Sequence, residues 1–272
     1  MSLYCIVNTA RGSSFTLDPS SIGKSHRIAA LVLSLALSGM PFGIATAATL
    51  FSSSFETGDV SEWLADSGGS QTGGGYVTSE KAHTGRYSWK AYNDPNLPVP
   101  NNYSAKLLRW RFDYQAAYYS GWYFWPGAYK VNGVATEYVN IMQWKSGTPP
   151  WEPVWGVSVK GSYRYPGEDE IVVYDVRAVT IFRNNVRLPK DHWFHLEVFL
   201  RTGLTGQLIA WLNGQQIFRL DAINAFLSPP SIPFQWGVGN YGQAGIGKYI
   251  YVDDAVINSD KAPSPPSNLR IH

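Results

Sequence analysis

The sequence predicts an all-β protein, an antiparallel β-sandwich, and three observations carry that expectation. Short runs rich in aromatic and β-branched residues recur from Ala48 to about Asn258, parted by Gly, Pro, Asn and Ser. No segment between them carries the apolar period of a helix. Asn213-Gly214 stands between "QLIAWL" and "QQIF", the dipeptide favoured in a two-residue hairpin turn. About a dozen strands without intervening helices pack as two antiparallel sheets.

Ahead of these strands lies a leader. Lys24, His26 and Arg27 precede the apolar run 28–47, which ends in Ala45-Thr46-Ala47. A charged start, an apolar centre and a small-x-small ending mark a secretory signal peptide, so residues 1–47 are set apart from the fold. The run approaches the length of a membrane span, but Gly39, Pro41 and Gly43 interrupt its second half. The expected product is secreted or periplasmic, with no membrane attachment after cleavage. Its domain covers 48–260 and a Pro-rich tail, "APSPPSN" and beyond, covers 261–272.

Removing the leader changes the chemistry available. The single cysteine is Cys5, so the mature chain has no thiol and no disulfide. Loss of Arg11, Lys24, Arg27 and Asp18 leaves acidic and basic residues in equal number. A chain so balanced lacks the cationic surface that nucleic acid requires.

The strands follow in order. "RYSWKAY" (86–92), "YYSGWYFW" (118–125), "VWGVSVK" (154–160) and "EIVVYDV" (170–176) are ring-rich or β-branched. In "WFHLEVFLR" (193–201), Phe194, Leu196, Val198 and Leu200 form a core face, while Trp193, His195, Glu197, Phe199 and Arg201 point the other way. Strict alternation in "YVNIMQWKSG" (138–147) puts Val139, Ile141, Gln143 and Lys145 on one face, with Tyr138, Asn140, Met142 and Trp144 opposite. "SGGSQTGGG" (67–75) reads as a Gly-rich loop, and "GEDE" (167–170) after Pro166 reads as a solvated turn.

Several kinds of chemistry are missing. There is no phosphate loop leading into a helix, no His or Cys cluster with metal-ligand spacing and no nucleophile elbow. Of the mature histidines, His83, His192, His195 and His272, none has a partner pattern, and His195 reads as a packing residue. A tight pair of catalytic carboxylates on one strand face is also lacking. What remains is a set of polar groups on strands: Gln143 with Lys145, Arg109 with Arg111 in "SAKLLRWRF", and Tyr241 closing "PFQWGVGNY". Such groups suit β-elimination from a uronic-acid polymer. A cation or amide neutralises the carboxylate, a base takes the adjacent C–H proton, and an acid protonates the leaving oxygen.

The order of motifs resembles the heparin-lyase-I-like and alginate-lyase-like polysaccharide lyases. "FSSSFETGDVSEW" (51–63), "KAHTGRYSWKA" (81–91), "YYSGWYFWPGAY" (118–129), "VNIMQWKSG" (139–147) and "PVWGVSV" (153–159) begin the match. "DHWFHLEVFLR" (191–201), "AWLNGQQIF" (210–218), "WGVGNYG" (236–242) and "YIYVDDAVI" (249–257) complete it. The resemblance implies a concanavalin A-like jelly roll and a uronate-containing polysaccharide as partner. It gives Gln143 the carboxylate-neutralising role and Tyr241, in Gly239-Asn240-Tyr241, the role of acid or base. Lys145 stands where these lyases carry a histidine, and Arg109 and Arg111 stand in a strand without the family's glutamate.

Trp122, Trp144, Trp236 and Asn240 are the expected substrate contacts. The resemblance also implies a structural calcium near Glu56, Asp253 and Asp254, no required cofactor, and a monomer. Two other readings use the same scaffold: a non-catalytic carbohydrate-binding or adhesion module, and a structural domain of a larger secreted assembly.

Overall fold

The computed structural model describes residues 48–111, 115–131, 137–147, 153–229 and 231–259; of Arg111 only the backbone is described. The leader and the Pro-rich tail lie outside the described residues. Alternating apolar and polar residues build two sheets, each with one face that must leave water. One sheet holds β1 (Thr49–Ser53), β3 (Tyr76–Thr78), β4 (Ser88–Tyr92), β6 (Ala116–Phe124) and β11 (Trp193–Arg201). To these it adds β12 (Gly203–Leu212), β13 (Gln215–Ala225) and β15 (Tyr249–Asn258). The other holds β2 (Gly69–Thr72), β5 (Ser104–Arg111), β7 (Val139–Lys145) and β8 (Pro153–Gly161). It is completed by β9 (Asp169–Asp175), β10 (Thr180–Arg187) and β14 (Phe234–Tyr241).

The eight-stranded sheet runs β13-β12-β11-β6-β15-β4-β3, with β1 also paired to β15, and the seven-stranded sheet runs β10-β9-β8-β7-β14-β5-β2. Neighbours are antiparallel, as the strand pattern predicts. The described residues add one α-helical turn, α1 (Ser61–Leu64), which buries Trp63, and three short 3-10 turns.

Rings fill the space between the sheets. Trp63 stacks on Trp236 with centroids 5.3 Å apart, and Phe51 meets Trp63 edge-on at 5.0 Å. Tyr119 reaches across from β6 to touch Trp144 at 5.3 Å and Trp236 at 5.5 Å. Trp63, Trp144 and Trp236 are fully enclosed. Edge-to-face and offset contacts of this kind add to the apolar area each ring removes from water.

Two expectations change. The Gly-rich stretch 67–75 contains an edge strand, β2, paired with β5. Gly69 permits it, since a Cβ there would lie 1.9 Å from the Trp63 carbonyl oxygen. Of the three acidic residues in "GEDE", only Glu168 is exposed. Asp169 and Glu170 are buried in β9, where Lys190 pairs with Asp169 at 2.7 Å and Arg183 pairs with Glu170. The turn signal is real but ends at Glu168, two residues before the acidic run does.

The largest change is in β7. Opposite β8 the register slips between Asn140 and Met142, so Ile141 is an extra, bulged residue. Val139, Met142 and Trp144 therefore pair with the core residues Val159, Val157 and Trp155. Asn140 and Gln143 pair with Ser158 and Gly156 on the outer face. Simple alternation had placed Val139 beside Gln143, and the bulge separates them.

Replacement of Trp236 tests the ring cluster. Trp236→Ala is expected to lower unfolding free energy by about 3–5 kcal/mol in urea titration, the range for a buried aromatic truncated to a cavity. A loss below about 1 kcal/mol would mean that the cluster does not hold the sheets together.

Candidate functional site

The outer face of the seven-stranded sheet collects most of the polar groups singled out above. Strand parity sets the choice in β5. Leu107 and Arg109 lie opposite Val238 and Trp236, on the core side, which leaves Lys106, Leu108 and Trp110 outward. On β14 the outward positions are Gln235, Gly237, Gly239 and Tyr241. Gly239 has φ +149°, and a Cβ there would come 2.2 Å from the Ala105 carbonyl oxygen. The glycine thus lets β14 pass close to β5 just before Tyr241.

Gln143 sits at the centre. Its partners on both neighbouring strands are glycines, Gly237 and Gly156, so no side chain stands beside it in register. It is only 2% exposed, and neither its Oε1 nor its Nε2 has a hydrogen-bond partner. Asn140 Nδ2 and Gln235 Oε1 are likewise buried and unpartnered. The other Asn140 terminus is used: its Oδ1 accepts from Ser158 Oγ. Leaving a buried polar group unpaired costs about 1–3 kcal/mol, so three such amides around one spot mark a place for a polar ligand.

Two lysines and a tyrosine complete the cluster. Lys145 pairs in register with Gln235. Lys106 Nζ lies 4.0 Å from the centroid of the Tyr241 ring. Burial, helped by the charge of Lys145, pushes the Lys106 amine down to about 7. Burial also lowers Lys145. Tyr241 is pushed up, by burial first and then by Tyr103, whose ring is 6.0 Å away. Near neutral pH the site thus offers an amine that can accept a proton, a phenol that keeps its own, and free amide groups between them.

Of the residues expected from sequence, Gln143, Lys145 and Tyr241 meet on this face. Arg109 does not. Its Nη1 donates to the carbonyl oxygens of Trp63 at 2.9 Å and Ala65 at 2.8 Å, and its guanidinium lies 5.0 Å from the Phe51 ring. It fastens the turn after α1 to the sandwich. Arg111 ends β5, and its side chain lies outside the described residues.

Trp144 and Trp236 are core rings with no surface to offer a sugar. Trp122 belongs to the outer face of the other sheet, where His83 stacks on it at 3.7 Å. Asn240 is enclosed between the sheets, accepting from Tyr129 Oη at 2.8 Å and donating to the Ala91 and Lys248 carbonyls. For Trp144, Trp236 and Asn240 the correction follows from which face of a strand meets the core, and for Trp122 from which sheet its strand joins.

Lys106 and Asn140 were not singled out by the sequence. Lys106 shares its strand with Arg109 and Arg111 but has the opposite parity, and the apolar Leu107 beside it was the available signal. Asn140 was hidden by the β7 bulge.

The carboxylates expected to hold calcium are engaged elsewhere. Glu56 accepts from the backbone N–H groups of Arg86 and Tyr87. Asp253 accepts from the N–H groups of His83 and Asp254 at 2.8 Å, and Asp254 Oδ2 lies 2.8 Å from His83 Nδ1. Burial and the adjacent Asp254 push Asp253 up to about 7. Among the described residues no three His, Cys, Asp or Glu side chains gather as a metal site. As arranged, Glu56, Asp253 and Asp254 clamp the 83–87 loop.

Two antiparallel sheets in this order, with a polar outer face, make the chain a jelly-roll β-sandwich of the kind found in polysaccharide lyases. It resembles the endo-β-1,4-glucuronan lyase of the fungus Trichoderma reesei, with TM-score 0.58 and 14% identity over 81% of this chain and 99% of that one. It also resembles the cellulose-induced protein Cip1, with TM-score 0.54 and 17% identity over 79% and 100% of the two chains. The PL-14 alginate lyase of Aplysia kurodai aligns with TM-score 0.53 and 9% identity over 80% and 100%. These likenesses establish the fold. No protein-family model matches the sequence, and no curated protein matches it.

The state of Lys106 can be read directly. A 13Cε NMR titration should show this lysine changing near pH 7. Lys145→Gln removes a repelling charge and should move the Lys106 midpoint upward. A midpoint above 10 in the parent would refute the burial account.

Proposed function

We propose that the protein is a secreted polysaccharide lyase that cleaves a uronate-containing polysaccharide by β-elimination. The observation that carries this reading is the Gln143 amide, buried and unpaired at both ends, beside Lys106, Lys145 and Tyr241. The jelly-roll likeness to glucuronan and alginate lyases supports it. The leader pattern of residues 1–47 supports secretion.

Gln143 Nε2 and the Lys145 ammonium hold the uronate carboxylate and favour the build-up of negative charge on it. The neutral Lys106 amine removes the proton from the sugar carbon next to that carboxylate. The electron pair of the broken C–H bond forms the new C=C bond, and the C–O bond to the leaving sugar breaks. Tyr241 gives its phenolic proton to the departing oxygen. One product carries an unsaturated uronate end and the other a new reducing end. The proton on Lys106 can return to the tyrosinate it faces, which restores both groups.

The sign of the pH dependence follows. Lys106 must be neutral, so kcat/KM should rise with pH through about 7. Tyr241 must be protonated, and its upward shift keeps it so beyond the usual tyrosine value of about 10. The test is absorbance of unsaturated product with glucuronan, alginate and glycosaminoglycans as substrates. Tyr241→Phe and Lys106→Ala should each lower kcat/KM by about 10²–10⁴-fold, the usual contribution of a positioned acid or base. Retention on a polysaccharide gel with no product from any uronate polymer would refute the lyase and leave the binding module.

A further inference from the structure

The outer face does not end at Gln143. Beyond β7 it continues through β8, β9 and β10, and the hairpin tip that joins β8 to β9, residues 162–168, is not used by the proposed reaction. Three guanidinium groups lie over tyrosine rings there: Arg183 at 4.2 Å from the Tyr163 centroid, and Arg187 and Arg164 at 4.0 Å and 5.6 Å from that of Tyr165. Arg183 and Arg187 are outward on β10, because they pair with Val172 and Glu170 on the same face of β9.

The tip is held in shape. Tyr165 N–H donates to Ser162 Oγ, Glu168 N–H to the Tyr165 carbonyl, and Ser162 N–H to the Glu168 carbonyl. Arg183 is further fixed by its pair with the buried Glu170. Tyr163 nevertheless remains 66% exposed, and Arg164 and Arg187 are exposed with no carboxylate partner among the described residues. Glu168 is the one exposed carboxylate of the tip. Lys160 joins the two ends of the face: its Nζ donates to the Glu137 carbonyl, it lies 5.6 Å from the Tyr138 ring, and burial first, then the charge of Arg183, lowers its pKa.

We propose that this hairpin tip, with Tyr163, Arg164 and Arg187, is a distal binding site for a chain that carries carboxylates on successive sugars. Tyrosine offers a flat apolar face to the C–H side of a pyranose, and guanidinium offers paired donors to a carboxylate. From β14, which carries Tyr241, the strands that the tip joins, β8 and β9, are two and three strand steps away, about 10–14 Å at the usual ~4.8 Å spacing, and β10, which carries Arg187, is four steps away, about 19 Å. A short oligomer centred on Tyr241 does not extend as far as Arg187, whereas a long one covers the tip and Arg187 together. The site therefore favours long polyuronate over neutral polymer and over short fragments. The inference rests on the reading of this face as a polyuronate groove.

The test compares the parent protein, an Arg164→Ala/Arg187→Ala double variant and a separate Tyr163→Ala variant, with thermal melting as a check on folding. Binding is measured to long glucuronan, to the same polymer after carboxyl reduction, and to a glucuronan trisaccharide, at low and high salt. The double variant should bind long glucuronan about ten-fold more weakly, about 1.4 kcal/mol, with a smaller salt dependence and unchanged trisaccharide binding. Tyr163→Ala should weaken the long polymer alone. Parent-like binding of long glucuronan by both variants would overturn the inference. So would equal affinity of the parent for carboxyl-reduced polymer. If the expected binding pattern is found but no unsaturated product forms, the distal site stands and the lyase reading falls. Product formation with parent-like binding by the variants gives the opposite result.

Discussion

Strand parity, reset once by a bulge, is the constraint on which the rest of this molecule depends. A β-strand has only two faces, and in a sandwich one of them belongs to the core. In β7 the extra residue Ile141 lets Val139, Met142 and Trp144 point inward while Asn140 and Gln143 point outward. Without it, one half of the strand would place its polar residues among the rings or its apolar ones on the outer face. The site thus exists because the ladder accepts a local irregularity.

That irregularity needs a firm backing, and the ring cluster supplies it. Trp144 and Trp236 are neighbours in register, on adjacent strands, and Tyr119 from the opposite sheet touches both. The residues that alternate with them, Gln143, Lys145, Gln235 and Gly237, make up the outer face. A change in the packing of either tryptophan is transmitted through one peptide unit to the amides. Arg109 has a related duty. It holds α1 against the sandwich, under β1 and β5, through two carbonyl oxygens.

The fold was legible because it is written in composition and period. Repeated short runs, punctuated by Gly, Pro and Asn, lead to two antiparallel sheets, and "WFHLEVFLR" divides its faces as alternation requires. The site was only partly legible. Gln143, Lys145 and Tyr241 could be found, because a polar group on an otherwise apolar strand is conspicuous. Arg109, Trp144, Trp236 and Asn240 were misplaced because residue type does not tell which face is the core. Lys106 was passed over for the arginines beside it, although its parity relative to Leu107 distinguishes them. Pairing between distant strands decides these cases, and a single strand does not contain that information.

The electrostatics of the outer face also restrict how the roles can be shared. Two ammonium groups near each other and partly out of water are unfavourable, and the strain is relieved when one loses its proton. Lys106, brought down to about 7 and only 6% exposed, is the one placed to do so. A bound carboxylate beside Lys106 would reverse this and raise its pKa, which would remove the base. In the proposed reaction the carboxylate is therefore best held by Lys145 and Gln143, one strand away, while Lys106 stays over the Tyr241 ring. The same reasoning separates the two ends of the face. Arginine keeps its charge through the whole working range and suits the distal tip, where the task is to hold an anion. Lysine, whose pKa burial can move, suits the end where a proton must change hands.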